Sequence, residues 1–220
     1  YKPDEKISFT LILIGRAIDY YPYFIYTFDE LGNVGIGKGR GKFELNEVIT
    51  SDIRIYNAKN KKLTAVKHNE LSFTLPDAYN SLRTKNDMTL KLSFLTPTRM
   101  SFNGQMVINL EFHMLIRTLI RRIALLYYFH CGGDTTQWDF KGIVEMASQI
   151  KVANSALRWH DWERYSARQD TRMKMGGFVG EITFEGNIEP FIPLIKAGEV
   201  LHLGKGTSFG LGKYEIVHSY

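Results

Sequence analysis

Two stretches of this chain follow one plan, and that repetition limits its folds more than any other feature. Near the start, "KISFTLILIG" reads as a strand over Lys6–Gly15. "YYPYFIYTFDELG" follows as a helix, with proline in its first turn and glycine at its end. "GIGKGRGKFEL" then runs through Gly35, Gly37, Gly39 and Gly41 into an alternating strand. Near the other end, "GFVGEITFEG" reads as a strand and "EPFIPLIKAGEVLHLG" as a helix with Pro190 near its start. "GKGTSFGLG" then leads into the strand "KYEIVHSY". A matching order of strand, proline-started helix, glycine loop and strand implies one supersecondary unit used twice.

The region between the copies completes the second unit. "RIYNAKNKKLTAVKHNELSFTL" reads as strands joined by a turn at Asn57–Lys61, and the polar "PDAYNSLRTKND" as a linker. "MTLKLSFLT" alternates like a half-buried strand. "NLEFHMLIRTLIRRIALLYYFH" has the stripe of an amphipathic helix capped by Asn109, and "FKGIVEMASQI" adds a second helix. "KVANSALRWHDWERYSARQ" and "RMKMGGFVGEITFEG" read as one long hairpin. The second half thus runs strand, helix, strand, strand, helix, strand, which is the ferredoxin-like order. The expected fold is α+β, with two tandem ferredoxin-like (βαββαβ) domains, a first over residues 1–80 and a second over 81–220. The first copy has only the back portion of that order. With Tyr1 in place of methionine, the expectation is that its front portion lies upstream and that the first domain is incomplete at its N-terminus.

Length and charge bound the function. The chain has 220 residues, 44% of them hydrophobic, and a formal charge of +5. That is enough apolar content for a real core, and a charge balance that suits a polyanionic partner without requiring one. Cys131 is the only cysteine and can form no internal disulfide, which points to a reducing, cytoplasmic setting. Apolar runs such as "IALLYYF" are too short to cross a bilayer, so no membrane partner is expected. Neither carboxylates nor histidines cluster at ligand spacing; no metal and no cofactor are expected.

The glycine loops lie after a helix and before a strand. Nucleotide-binding loops lie the other way round, before a helix, and no GxxxxGK[ST] string occurs. One glycine would suffice to turn a helix end into a strand. Four, interleaved with Lys38 and Arg40 in one copy and Lys205 in the other, suggest a backbone laid against an anion. On that reading Gly204, Lys205, Gly206, Thr207, Ser208, Gly210 and Gly212 form a ligand loop. Phe209 within it either stacks on a base or packs inward, packing being the default.

"GKGTSFGLGKYEI" after "PFIPLIKAGEVLHL", the upstream "RYSARQ" and "MGGFVGEITFEG", and "LIGRA" with "PYFIYTFDELGNVGIGKGRGKFEL" resemble the CRISPR precursor-RNA processing endoribonucleases. These belong to a superfamily of repeat-associated RNA-binding proteins. The resemblance extends from Lys6 to Tyr214, and the glycine loop before the last strand is the superfamily's most characteristic motif. It implies binding of CRISPR repeat RNA, metal-independent cleavage through the ribose 2′-hydroxyl, and delivery of crRNA to other interference-complex subunits. It also implies that the hairpin approaches the RNA, which makes Arg164, Arg168, Arg172 and Lys174 candidate phosphate contacts. A catalytic histidine in this family commonly comes from the first domain, upstream of the residues present here.

Cleavage through a 2′-hydroxyl needs a base, an acid for the departing 5′-oxygen, and cations for the phosphorane charge. His202, just before the glycine loop, and His160, between Trp159 and Trp162 near Arg164 and Arg168, are the candidates for proton transfer. His113 shares a helical stripe with Arg117 and Arg121 that reads as a solvated face. His68, His130 and His218 have no informative neighbours. Two rivals remain: a non-catalytic RNA-binding subunit of the same fold, and an enzyme holding a small phosphorylated ligand in the glycine loops.

Overall fold

Four strands pair in the order fourth, first, third, second around two crossing helices, and that topology organises the larger part of the chain. The computed structural model describes residues 4–37, 39–50, 52–65, 75, 87–166 and 170–219. The chain divides into two compact units, Tyr1–Leu71 and Ser72–Tyr220.

In the first unit a 3₁₀ turn over Gly15–Tyr20 leads into α1 (Tyr21–Val34), which has proline in its first turn. Strands β1 (Glu47–Thr50), β2 (Ile53–Asn57) and β3 (Lys62–Leu63) form a small antiparallel sheet in that order. The turn expected at Asn57–Lys61 joins β2 to β3. The core here is small: Ile25, Ile55 and Tyr56 are buried, and the Tyr56 hydroxyl donates to Asp29 Oδ1 at 3.2 Å. The strand expected over Lys6–Gly15 is not formed. Residues 6–14 have no regular structure, and Gly15 already opens the 3₁₀ turn. A β-strand is stable only against a partner, and none pairs with this segment among the described residues; Ile7, Phe9 and Leu11 stay exposed.

The second unit begins with β4 (Met88–Thr98), then a short hairpin of β5 (Ser101–Phe102) and β6 (Gln105–Met106). Helices α2 (Phe112–Cys131) and α3 (Phe140–Ala147) follow. Next come β7 (Lys151–Ser155), β8 (Arg158–His160), β9 (Glu163–Ser166), β10 (Thr171–Lys174) and β11 (Gly177–Gly186). Helix α4 (Ile192–Leu201) and β12 (Tyr214–Ser219) complete it. The main sheet runs β12-β4-β11-β7, with β8 continuing beside β11, and every pairing is antiparallel. With α2 after the first strand and α4 after the third, this is the order read from the sequence for the second half.

Alternation on β4 buries Leu90, Leu92 and Phe94 against the stripe Leu115, Ile116, Leu119, Ile120 and Ile123 of α2. Phe112 meets Phe184 and Phe191 edge-on at 5.1 and 5.2 Å, fixing the start of α2 over the sheet. Asn109 does not cap α2. The helix starts at Phe112 with Glu111 in the cap position, and no side chain bonds to the first turn. Asp139 does cap α3, accepting from the Gly142 N–H at 2.8 Å. The long hairpin is interrupted. β7 and β8 pair with β11 on either side of an irregularity where the Ala156 N–H donates to Glu181 O, and β9–β10 form a separate two-stranded arm.

Tyr214 locks β12 to α4. Its hydroxyl donates to Ile195 O at 2.6 Å in a fully buried setting, and burial, with Glu199 adding to it, pushes the phenol well above its ordinary pKa. It therefore stays a donor at every physiological pH. Tyr214→Phe removes this buried bond between strand and helix and is expected to cost about 0.5–1.5 kcal/mol in denaturant unfolding.

Candidate nucleic-acid interface

The glycine-rich segment leaves α4 through His202, whose N–H donates to Gly198 O at 2.8 Å. The two sides of the loop are tied by Leu203 N–H to Gly212 O at 2.9 Å, and the Gly212 N–H reaches back to Pro97 O at 3.2 Å. The Thr96 hydroxyl donates to Gly210 O and receives the Lys213 N–H, so β4 clamps the outgoing side. At the tip, Thr207–Phe209 form a single 3₁₀ turn closed by Phe209 N–H to Gly206 O.

Two of the glycines have a structural cause. Gly204 and Gly212 have φ of 84° and 74°, and a Cβ on them would lie 2.5 Å from Arg99 O and 1.8 Å from Leu203 O. Close backbone packing thus accounts for two of the four loop glycines. The feature that faces outward is different: among the described residues, no acceptor meets the N–H groups of Gly206, Thr207 and Ser208. Successive unpaired N–H donors beside Lys205 are groups whose hydrogen bonds an anion could accept.

Arg99, which no pattern in the sequence singled out, fastens this loop to the β9–β10 arm. Its carbonyl accepts the Lys205 N–H at 2.9 Å, and its Nη1 donates to Lys174 O at 2.8 Å. Only the register of β4 against its neighbours reveals that role. The pairing Arg164↔Met173, Tyr165↔Arg172 and Glu163↔Lys174 then separates the candidate arginines by face. Arg164 shares the loop side with Met173, and its guanidinium lies 4.5 Å from the centre of the Phe209 ring. Arg172 and Lys174 alternate onto the other face, where Arg172 is paired with Glu163 at 3.8 Å. Arg168 and Lys38 lie outside the described residues. The sequence therefore grouped cations that the strand period divides.

The two candidate histidines have different settings. His160 is exposed on β8 opposite Gly177, while Trp159 pairs with the buried Phe178 and donates its Nε1–H to Asp161. His202 is half-buried, with Nδ1 3.3 Å from Leu211 O. Burial holds its imidazole below the ordinary value, and Lys213 and Arg122 push the same way against the Leu211 contact. Its φ of 60° and ψ of 171° fall in a region occupied almost only by glycine. Arg122, also missed in the sequence, donates Nε–H to Leu201 O at 2.9 Å and caps the end of α4 beside it. Among the described residues no hydrogen bond or ring contact joins His160 to His202. The His113 stripe is solvated at Arg117 and Arg121, which are exposed, while the half-buried His113 ring meets Phe102 edge-on and the Arg117 guanidinium lies over the Phe102 face.

In the first unit the loop after α1 is shorter. Ile36 and Gly41 exchange both main-chain hydrogen bonds, Arg40 has φ of 45°, and residues 42–46 carry no regular structure before β1. Both loops thus follow a helix and close on a main-chain pair, but with different spans. Among the described residues, no group of three or more His, Cys, Asp and Glu side chains could hold a metal ion. No helix there is long and apolar enough to cross a membrane.

The second unit is therefore a ferredoxin-ordered α/β layer carrying a cationic turn with open backbone donors. The family model described as CRISPR-associated endoribonuclease Cas6 matches residues 92–214, and the chain belongs to that family. A second family model, described as an N-terminal domain, matches residues 1–68. Among solved structures, a Thermus thermophilus Cas6 is 17% identical with a TM-score of 0.46, covering 59% of this chain and 53% of its own. A Cas6 product complex is 18% identical with a TM-score of 0.45, over 59% and 50% of the two chains. A Type III-B Cmr-β complex bound to cognate target RNA is 9% identical with a TM-score of 0.35, over 64% and 62%. The match spans about half the length of those Cas6 chains. A search of curated proteins found no match.

Proposed function

We infer that this chain binds CRISPR repeat RNA and processes precursor crRNA by metal-independent attack of a ribose 2′-hydroxyl. The observation that carries the reading is the loop of a Cas6-family unit with open N–H donors at Gly206, Thr207 and Ser208, next to Lys205 and to Arg164, which has no ion-pair partner among the described residues. The two units are tandem ferredoxin-like domains in this reading, divided near residue 80. The second holds the RNA, and crRNA passes to other interference-complex subunits in the cytoplasm.

His202 has the properties of a general base. A neutral imidazole with Nδ1–H turned to the Leu211 carbonyl leaves Nε2 free to accept the 2′-hydroxyl proton. Attack of that oxygen on the adjacent phosphorus expels the 5′-oxygen, whose proton comes from a second group, with His160 as the candidate. The loop donors and Lys205 offset charge on the phosphorane. A second reading, a non-catalytic RNA-binding subunit, is favoured by the lack of contact between the two histidines.

The test is single-turnover cleavage of repeat RNA in excess chelator. The expected products carry a 2′,3′-cyclic phosphate and a 5′-hydroxyl, and a 2′-deoxy residue at the cut site blocks the reaction. Loss of cleavage in chelator would overturn the mechanism, and tight RNA binding with no cleavage would establish the second reading.

A further inference from the structure

Phe209 is an aromatic ring 47% exposed at the tip of a loop whose other turn residues are small or polar. Phe209 lies outside the buried core. Its one aromatic partner is a cation: Arg164 sits over the ring at 4.5 Å and is absent from every ion pair among the described residues. At that separation no base can fit between them. Arg164 is itself exposed on β9, so its planar guanidinium is accessible to solvent beside the ring. Met173, directly across the pair from Arg164, adds apolar surface at its side.

Resting on the RNA-binding reading above, we propose that the Arg164–Phe209 pair is a stacking site for one unpaired nucleobase, so that this face takes a single-stranded segment of the RNA. A guanidinium plane and an aromatic ring are the surfaces on which unstacked bases dock, whereas a base within a duplex has both faces covered by its neighbours. The open donors of Gly206, Thr207 and Ser208 stand one to three residues from Phe209, within reach of the phosphate of the same or the adjoining nucleotide. The division of labour is then clear: the loop backbone and Lys205 take phosphate, and Arg164 takes a base face instead of a phosphate.

The experiment measures repeat-RNA affinity with single abasic substitutions moved through the unpaired positions, for the parent, Phe209→Leu and Arg164→Lys. Leucine keeps the apolar bulk without the ring, and lysine keeps the charge without the plane. One abasic position is expected to weaken parental binding roughly tenfold, within the range for a stacked base. Each protein variant should weaken intact RNA similarly and lose nothing further with that abasic RNA. The salt dependence of Phe209→Leu should match the parent. Losses that simply multiply at every abasic position would overturn the stacking site while leaving RNA binding intact. A parent that binds the intact RNA no better than inorganic phosphate would overturn both readings.

Discussion

Glycine at position 202 is expected to leave the fold at least as stable as the parent while reducing RNA cleavage by roughly a hundred- to ten-thousand-fold. The two effects separate because His202 holds a backbone conformation that costs a non-glycine residue on the order of 1–3 kcal/mol. His202→Gly relieves that cost, offset in part by the lost side-chain packing and the Leu211 contact. A fold that maintains an imidazole there against its own backbone preference is spending stability on the side chain. The pH profile follows from the same environment. The folded-state pKa is depressed below 6.5, so the histidine is neutral at pH 7 and the rate should fall only as pH drops through that lowered value. By the same sign, the histidine's contribution to stability is present above 6.5 and is lost as pH falls through the folded value; His202→Gly should remove that dependence. Single-turnover rates and thermal unfolding of His202→Gly and His202→Ala across pH 5–8 test both halves. A cleavage rate equal to the parent's would remove His202 from the chemistry.

Gly212→Ala should be the most damaging single-methyl change in the loop. The added Cβ would lie 1.8 Å from Leu203 O, against the main-chain pair that joins the two sides, at a φ of 74°. The left-handed backbone costs about 1–2 kcal/mol, and breaking the Leu203–Gly212 pairing adds about 1–3 kcal/mol of unsatisfied buried donor. Gly210→Ala is the internal control, with a φ of 77° and nothing within 4 Å of its Cβ. It should lose only the backbone component. Denaturant unfolding of the pair separates the two terms, and RNA affinity should fall far more for Gly212→Ala. Equal losses would mean that the close approach to Leu203 does not hold the loop.

Much of this organisation was legible because it rests on local signals. Proline placed the starts of α1 and α4, alternation placed β4, and the strand–helix order of the second half gave the antiparallel sheet observed. What failed depended on partners distant in sequence. Lys6–Gly15 has strand composition but no strand beside it. Asn109 has the chemistry of a cap, yet the chain enters α2 two residues later, where Phe112 packs on Phe184. In the candidate site, the sequence singled out the loop, the arm and His202. It could not find Arg99 or Arg122, whose roles exist only through contacts to residues 75 and 79 positions away. Nor could it tell that Arg164 and Arg172 point to opposite faces, since that follows from the pairing of β9 with β10.

The central claim is that the face built from Lys205 and the open loop donors contacts the phosphates of bound RNA. The salt dependence of repeat-RNA affinity tests it most directly, because each phosphate neutralised on a single strand contributes about 0.7 to the slope of log K against log salt. The parent should show a steep negative slope. Lys205→Gln should flatten it by about 0.7, one cation at that increment, with the fold unchanged by thermal unfolding. A slope identical to the parent's would place the RNA on another surface and contradict the account.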